Sequence, residues 1–247
     1  MAQAPPSVAQ AVLPEGSLER DGIGNLGEGS DGALWLPTLS SRPVLPLERC
    51  SFHVARPHAC AAVRLCQERG LLLAASAVPA AAYGGALGTA LRLESFAELG
   101  DDKGIEVSAV GVRPIQVLER STVLSRRSSG QVEMVNVAAV AWLGEVGAGS
   151  AVGQSAGGPR TAMLRRKVSG LLGRAAAAAG PEAISVLVAA PEGLEDFSWW
   201  AAARLPLPAA ERGLLLRVAD VEQRLSICAS VLAPFAAFDG RPLRAKL

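Results

Sequence analysis

Between Trp35 and Trp142 the apolar positions fall in short runs separated by turn residues, whereas from Met163 onward they recur at helical spacing. Leu36 to Leu47 is interrupted by Pro37, Pro43 and Pro46. Proline cannot donate to a ladder, so this stretch is expected as edge strand or extended chain. Cys60, Val63, Leu65 and Cys66, within Ala59 to Arg69 and followed by Gly70, predict a short helix with a glycine cap. Leu71 to Ser76 is a compact apolar run, and in Thr89 to Ser95 the alternation of Leu91 and Leu93 with Arg92 and Glu94 marks a half-buried strand. Gly100-Asp101-Asp102-Lys103-Gly104 supplies a hairpin turn. In the next strand Ile105, Val107 and Ala109 share a parity that Val110 and Val112 break, which predicts a bulge or bend at Gly111. The strand resumes beyond Pro114 as Ile115 to Leu118. Gln131 to Trp142 is apolar on both parities, as in a strand buried on both faces.

The remainder is helical. Met163, Leu164, Val168, Leu171, Leu172 and Ala175 form one stripe, ended by Gly180-Pro181. Ile184 to Ala190 fits helix or strand. Asp196 is placed to cap a helix through Trp199 and Trp200, one of which is expected to face a surface groove. Pro208 suits the first turn of the next helix. Asp220 with Gln223 gives a capping-box-like start to the stripe Val221, Leu225, Cys228 and Leu232. The fold class is therefore α+β, with a barrel-like sheet first and helices second. The expected organisation is a flexible tail over 1–33, a β-rich half over 34–146, a Gly/Ser-rich connector over 147–160, a helical half over 161–238, and a tail over 239–247.

Composition narrows the function classes. Half of the 247 residues are hydrophobic and 19% are charged, with mean hydropathy +0.29, which excludes a mostly disordered chain. Twenty-four basic against 23 acidic residues give a formal charge of +1, so no global field draws the protein to nucleic acid or an anionic membrane. Met1 to Arg20 has neither the basic start nor the apolar stretch of a secretory signal. The four cysteines form no CxxC pair and are expected reduced, in an intracellular and most simply cytoplasmic protein, with an organelle as the alternative. Leu71 to Leu91 is uncharged and long enough to span a bilayer, but Pro79, Gly84, Gly85 and Gly88 favour two strands around a loop.

Several motifs carry possible chemistry. Gly22-Ile23-Gly24-Asn25-Leu26-Gly27 matches GxGxxG but has neither a strand before it nor a helix after it, as a dinucleotide site requires. Gly153-Gln154-Ser155-Ala156-Gly157 matches GxSxG, yet His53 and His58 both precede it, against the chain order of an α/β-hydrolase. Cys50, His53, His58 and Cys60 lie close in sequence without a usual structural-zinc spacing. Asp101 and Asp102 fit turn chemistry. Arg126-Arg127 and Arg165-Arg166-Lys167 lack interleaved aromatics and are expected as solvated faces. There is no GxxxxGK[ST] and hence no P-loop ATPase; neither catalysis, nor metal, nor cofactor is expected.

From about Leu36 to Phe235 the chain resembles the Lon protease N-terminal substrate-binding (LON) domain, in a stand-alone form and as also found in cereblon. Phe197-Ser198-Trp199-Trp200, Leu205-Pro206-Leu207, Leu214-Leu215-Leu216 and Val221-Glu222-Gln223-Arg224-Leu225 follow its helical pattern. Gly88-Thr89-Ala90, Asp102-Lys103-Gly104, Val110-Gly111-Val112-Arg113 and Val117-Leu118-Glu119 follow its sheet half, and Leu45-Pro46-Leu47 resembles its opening strand. The Phe-Pro-Gly stretch usual in the family is replaced by Ser51-Phe52-His53-Val54. The resemblance implies a PUA-like pseudo-barrel of short strands followed by a C-terminal helical bundle. It also implies a non-enzymatic protein that binds peptide segments or misfolded proteins in an apolar groove between sheet and bundle, as an adaptor for an ATP-dependent protease or ubiquitin-ligase component. The alternative is a structural or assembly subunit held permanently in a larger complex. Neither nucleic acid binding nor membrane insertion is implied. Tyr83, Phe96 and Trp142 are the candidate peptide-binding residues.

Overall fold

The computed structural model describes residues 34–76, 86–100, 103–126, 129–143, 158–179 and 189–236. The tails, the GxGxxG and GxSxG motifs, Tyr83, Asp101, Asp102, Arg127, Gly180-Pro181 and most of Ile184 to Ala190 lie outside them. The chain divides into two compact units, one holding residues 1–44 and 49–142, the other 45–48 and 143–247.

The first unit is a sheet with one helix. Its elements are β1 (Leu34–Ser40), β2 (Arg49–Val54), α1 (Pro57–Arg69), β3 (Leu73–Ser76), β4 (Ala86–Glu98), β5 (Ile105–Arg126) and β6 (Val132–Trp142). The strand order is β2-β5-β4-β3-β1-β6, and a further β5–β6 pairing closes five of the strands on themselves. The two strands expected within Leu71 to Leu91 are present as β3 and the start of β4, paired antiparallel. α1 ends as expected at Gly70, whose φ of 65° is the left-handed cap.

The edge-strand expectation for Leu36 to Leu47 is overturned. β1 is internal, pairing with β6 over Leu34 to Pro37 and with β3 over Thr38 to Ser40. Pro37 sits where one ladder ends and the other begins, so its missing N–H interrupts neither. Leu45-Pro46-Leu47 is not a strand either. Glu48 N–H donates to Leu45 O at 3.1 Å, and Leu47 takes φ 61°, so these residues form a tight turn with proline at its second position.

Two bulges in β5 decide which side chains are inside. Ala90 pairs with Arg113 but Leu91 with Gly111, which leaves Val112 extra beside the predicted bend. Val117 pairs with Val140 but Glu119 with Ala139, which leaves Leu118 extra. A one-residue insertion exchanges the faces of everything beyond it. Odd residues of β5 accordingly alternate between two cores. Ile105, Val107 and Ala109 join the first, Ile115 and Val117 the second, and Val123 the first again. The first core packs Cys60, Ala62, Val63 and Cys66 of α1 against Val135 and Val137 of β6. The second is built mostly from small residues, among them Ala74, Ala86, Ala90 and Ala138, with Leu36, Ile115 and Val140.

The second unit holds α2 (Pro159–Ala179), α3 (Leu194–Ala203), α4 (Ala209–Leu215) and α5 (Val221–Ala236). α2 buries Leu164, Val168, Leu171, Leu172 and Ala176; Met163, expected in that stripe, is exposed. α3 starts after Gly193, not Asp196, which lies in its first turn. Trp199 and Trp200 are both buried, so neither lines a surface groove. They can be adjacent and buried because Arg224 covers Trp199 at 4.1 Å and Arg204 covers Trp200 at 3.9 Å. Arg165, expected to be solvated, donates to Pro191 O at 3.0 Å and to Glu192 O, and lies over the Phe197 ring. The Asp220 cap is present, its Oδ1 accepting from Gln223 N–H at 2.7 Å. The turn at Leu45 to Glu48 belongs to this unit through Glu48, whose Oε2 accepts from Leu45 N–H and from Arg212 Nη1.

Candidate functional site

Beyond the second bulge β5 pairs with β6 alone among the described residues, forming a two-stranded ribbon. One face carries Val123, Val135 and Val137 into the first core. The other carries Arg120, Thr122, Leu124 and Arg126 opposite Ala138, Asn136, Met134 and Val132. That second face is covered at Ala138 and Val140 and open beyond them. Leu124 and Met134, directly opposed, are 55% and 49% exposed, and Val132 and Leu118 are exposed as well. The expectation that β6 is buried on both faces thus holds from Val137 to Val140 and fails from Val132 to Asn136, where pairing with β1 has ended.

Beside the end of β1 there is a cavity of about 240 Å³ whose lining draws on both faces of the ribbon. It is lined by Thr38, Leu39 and Ser40 of β1, Arg120, Ser121 and Thr122 of β5, and Asn136 and Val137 of β6. Arg120 stands opposite Ala138 and donates to Ser76 Oγ at 2.7 Å, closing the row at this end. Thr122 Oγ1 donates to Asn136 Oδ1 at 3.0 Å. Among the described residues the lining is polar, with hydroxyl, amide and guanidinium groups beside Leu39 and Val137.

The ribbon is held rigidly from behind. His58 Nδ1–H donates to Met134 O at 3.3 Å, tying the first turn of α1 to β6. Arg64 bridges Glu98 and Glu133 at 2.8 and 3.4 Å, and the Glu98 hydrogen bond holds its guanidinium above the usual pKa. The open face therefore keeps its shape while its apolar side chains remain in water.

The residues singled out in the sequence lie elsewhere. Phe96 on β4 is half-buried against the first core and Trp142 at the end of β6 is half-buried against the second. Arg113 lies 5.8 Å over the Trp142 ring. The structure does not bring the two together in one cluster, and Tyr83 lies outside the described residues. The Cys50, His53, His58 and Cys60 set is also dispersed: Cys50 Sγ donates to Ala109 O, His53 Nε2–H to Lys103 O, and Cys60 Sγ to Val54 O. Among the described residues no three His, Cys, Asp or Glu side chains are grouped as a metal requires. All four cysteines are buried thiols. Among the described residues no helix is long and apolar enough to cross a membrane. Leu124, Val132, Met134 and Arg120 were not foreseen, although a signal was present. Thr122 and Val123 are β-formers and Ser128-Ser129-Gly130 is a turn-forming sequence, so a hairpin arm was readable there.

A closed, bulged sheet with an appended helical unit defines an α+β protein of the pseudo-barrel kind. Within that class the fold is that of the Lon N-terminal domain, in agreement with the resemblance carried by the sequence motifs. The N-terminal domain of the Lon protease of the Mycobacterium avium complex is similar at TM-score 0.55 and 16% identity, with 81% of this chain and 98% of that one covered. A Lon N-terminal domain protein from Xanthomonas campestris is similar at TM-score 0.51 and 20% identity, with 79% and 97% covered. No family model and no curated protein matches the sequence.

Proposed function

We propose that this protein is a non-catalytic binding module that captures apolar segments of other protein chains on the open face of the β5–β6 ribbon. The observation that carries this function is the opposed pair Leu124 and Met134, with Val132, left in water on a ribbon whose other face packs Val123, Val135 and Val137 into the first core. An extended segment laid on that face buries its alternate apolar side chains against them, and apolar burial at about 25 cal/mol per Å² drives the association. The fold likeness to a domain of Lon protease supports the same role, with clients delivered to an ATP-dependent protease or ubiquitin-ligase component.

The test is fluorescence anisotropy with a reduced, alkylated and therefore permanently unfolded protein as probe. Saturable binding is expected, weakened at least tenfold by Leu124→Asp with Met134→Asp. Phe96→Ala and Trp142→Ala, run alongside, report whether those half-buried aromatics extend the surface. Undiminished binding by the double variant would overturn the assignment of the surface. Co-purification with one partner at fixed stoichiometry would instead make the protein a permanent subunit.

A further inference from the structure

We infer that Met134 is a redox modification site: hydrogen peroxide converts its thioether to the sulfoxide, and the modified ribbon no longer holds a captured chain. This rests on the ribbon being the capture surface, and it adds how capture is switched off.

The sulfur atoms of the chain single out this residue. There are four cysteines and three methionines, Met1, Met134 and Met163. All four thiols are buried, and burial raises the pKa of Cys60, Cys66 and Cys228, so little of the reactive thiolate forms at neutral pH. Met134 and Met163 are instead 49% and 60% exposed, and Met1 lies outside the described residues. Met163 belongs to α2 of the helical unit, whereas Met134 stands on the open face, directly opposite Leu124 and two residues from Val132.

The chemistry balances with peroxide alone. The thioether sulfur takes one peroxide oxygen as the O–O bond breaks, and the other oxygen leaves as water. Sulfur is oxidised by two electrons and the peroxide is reduced. A flexible apolar side chain thereby becomes a polar one. Neither Leu124 nor Val132 has a donor for the new oxygen, so a captured chain that covers it removes its water without replacing the hydrogen bond. The fold is spared. Met134 points away from the first core, which Val135 and Val137 enter from the other side of β6. Its backbone is held by the ladder to β5 and by His58 Nδ1–H on Met134 O, neither of which involves the sulfur. The step also reverses: methionine sulfoxide reductases with a dithiol remove the oxygen as water and leave a disulfide on the dithiol.

The test treats the whole protein with hydrogen peroxide, removes the excess with catalase, maps oxidation by peptide mass spectrometry, and then adds the same unfolded probe. Capture is expected to weaken about tenfold, with the melting temperature unchanged, and to return after treatment with both epimer-specific reductases. Met163→Leu is expected to lose capture on oxidation as the natural protein does. Met134→Leu, compared only with itself before and after peroxide, is expected to keep whatever affinity it starts with. Full oxidation of Met134 without loss of capture overturns the inference. So does an equal loss in Met134→Leu, or a Met134 that stays reduced while Met163 is oxidised. In each of those cases the capture surface stands if Leu124→Asp still weakens the untreated protein. If Leu124→Asp changes nothing, the surface itself falls, and this inference with it.

Discussion

Arg224 is fully buried on α5 and spends its guanidinium entirely within the helical unit. Nε donates to Ser198 Oγ at 3.0 Å, Nη1 to Val218 O and Ala219 O at 2.6 and 2.8 Å, and Nη2 to Glu195. Desolvation lowers its pKa and the Glu195 carboxylate partly restores it. One turn further along, the Cys228 thiol is pushed up to about 12 by burial, and burial raises Cys66 likewise. These thiols hold their protons more tightly in the folded chain than in the unfolded one, where the ordinary value is 9.0. Their contribution is thus fully present below pH 9 and is lost as pH rises toward 12, at about 1.4 kcal/mol per pH unit for each thiol. Urea unfolding from pH 8 to 11 is expected to show that decline, with a smaller slope in Cys228→Ala; an unchanged slope would show that the thiol does not titrate on unfolding. Residues of this kind were half legible. The stripe Val221, Leu225, Cys228 and Leu232 was readable from its spacing. The burial of Arg224 was not, because an arginine is ordinarily a surface residue and its side-chain partners Glu195 and Ser198 lie on another helix.

At the scale of elements, the motifs that carried the family resemblance turn out to be the places where the chain departs from regular geometry. Val110-Gly111-Val112-Arg113 and Val117-Leu118-Glu119 contain the two bulges of β5. Gly88 lies so close to β3 that an added Cβ would fall 2.3 Å from Ala75 O, and Thr89 Oγ1 donates to Val44 O. Gly104 closes the β4–β5 turn at φ 86°, where a Cβ would fall 2.2 Å from Val54 O. The parity break at Gly111 was legible because apolar side chains must stay inside. The bulge at Leu118 was not, because Leu118 is itself exposed and Glu119-Arg120 after it shows no inside face against which a parity break could be seen. Gly104 invites a paired test with Gly100, whose φ of 93° is equally unsuited to a side chain but has nothing within 4 Å of its Cβ position. Gly100→Ala is expected to lose about 1 kcal/mol from backbone strain alone. Gly104→Ala adds a clash with backbone that cannot move aside, and its loss is expected to be clearly larger, roughly 3 kcal/mol or more. Equal losses by thermal unfolding would mean that β2 yields to the new methyl group.

For the whole molecule, a net charge of +1 with mean hydropathy +0.29 gives little electrostatic repulsion between copies. An open apolar face on such a protein is a liability unless it is used. The sequence showed a balanced charge and a sheet-then-helix order, but not which face would stay open, since that depends on where β1 stops pairing with β6. The two faces of the ribbon make the distinction measurable one residue apart. Val123 is 4% exposed and Leu124, its neighbour, 55%. Val123→Ala removes packed methyl groups and is expected to cost roughly 2 kcal/mol of stability. Leu124→Glu with Met134→Lys places an ion pair across the strands in water and is expected to change stability by less than about 0.5 kcal/mol. The same double variant should raise the solubility limit and abolish capture of the unfolded probe, whereas Val123→Ala should leave capture intact below its melting temperature. If the charged pair instead destabilises the fold as much as Val123→Ala does, the face is part of the core, and capture must be sought elsewhere on the molecule.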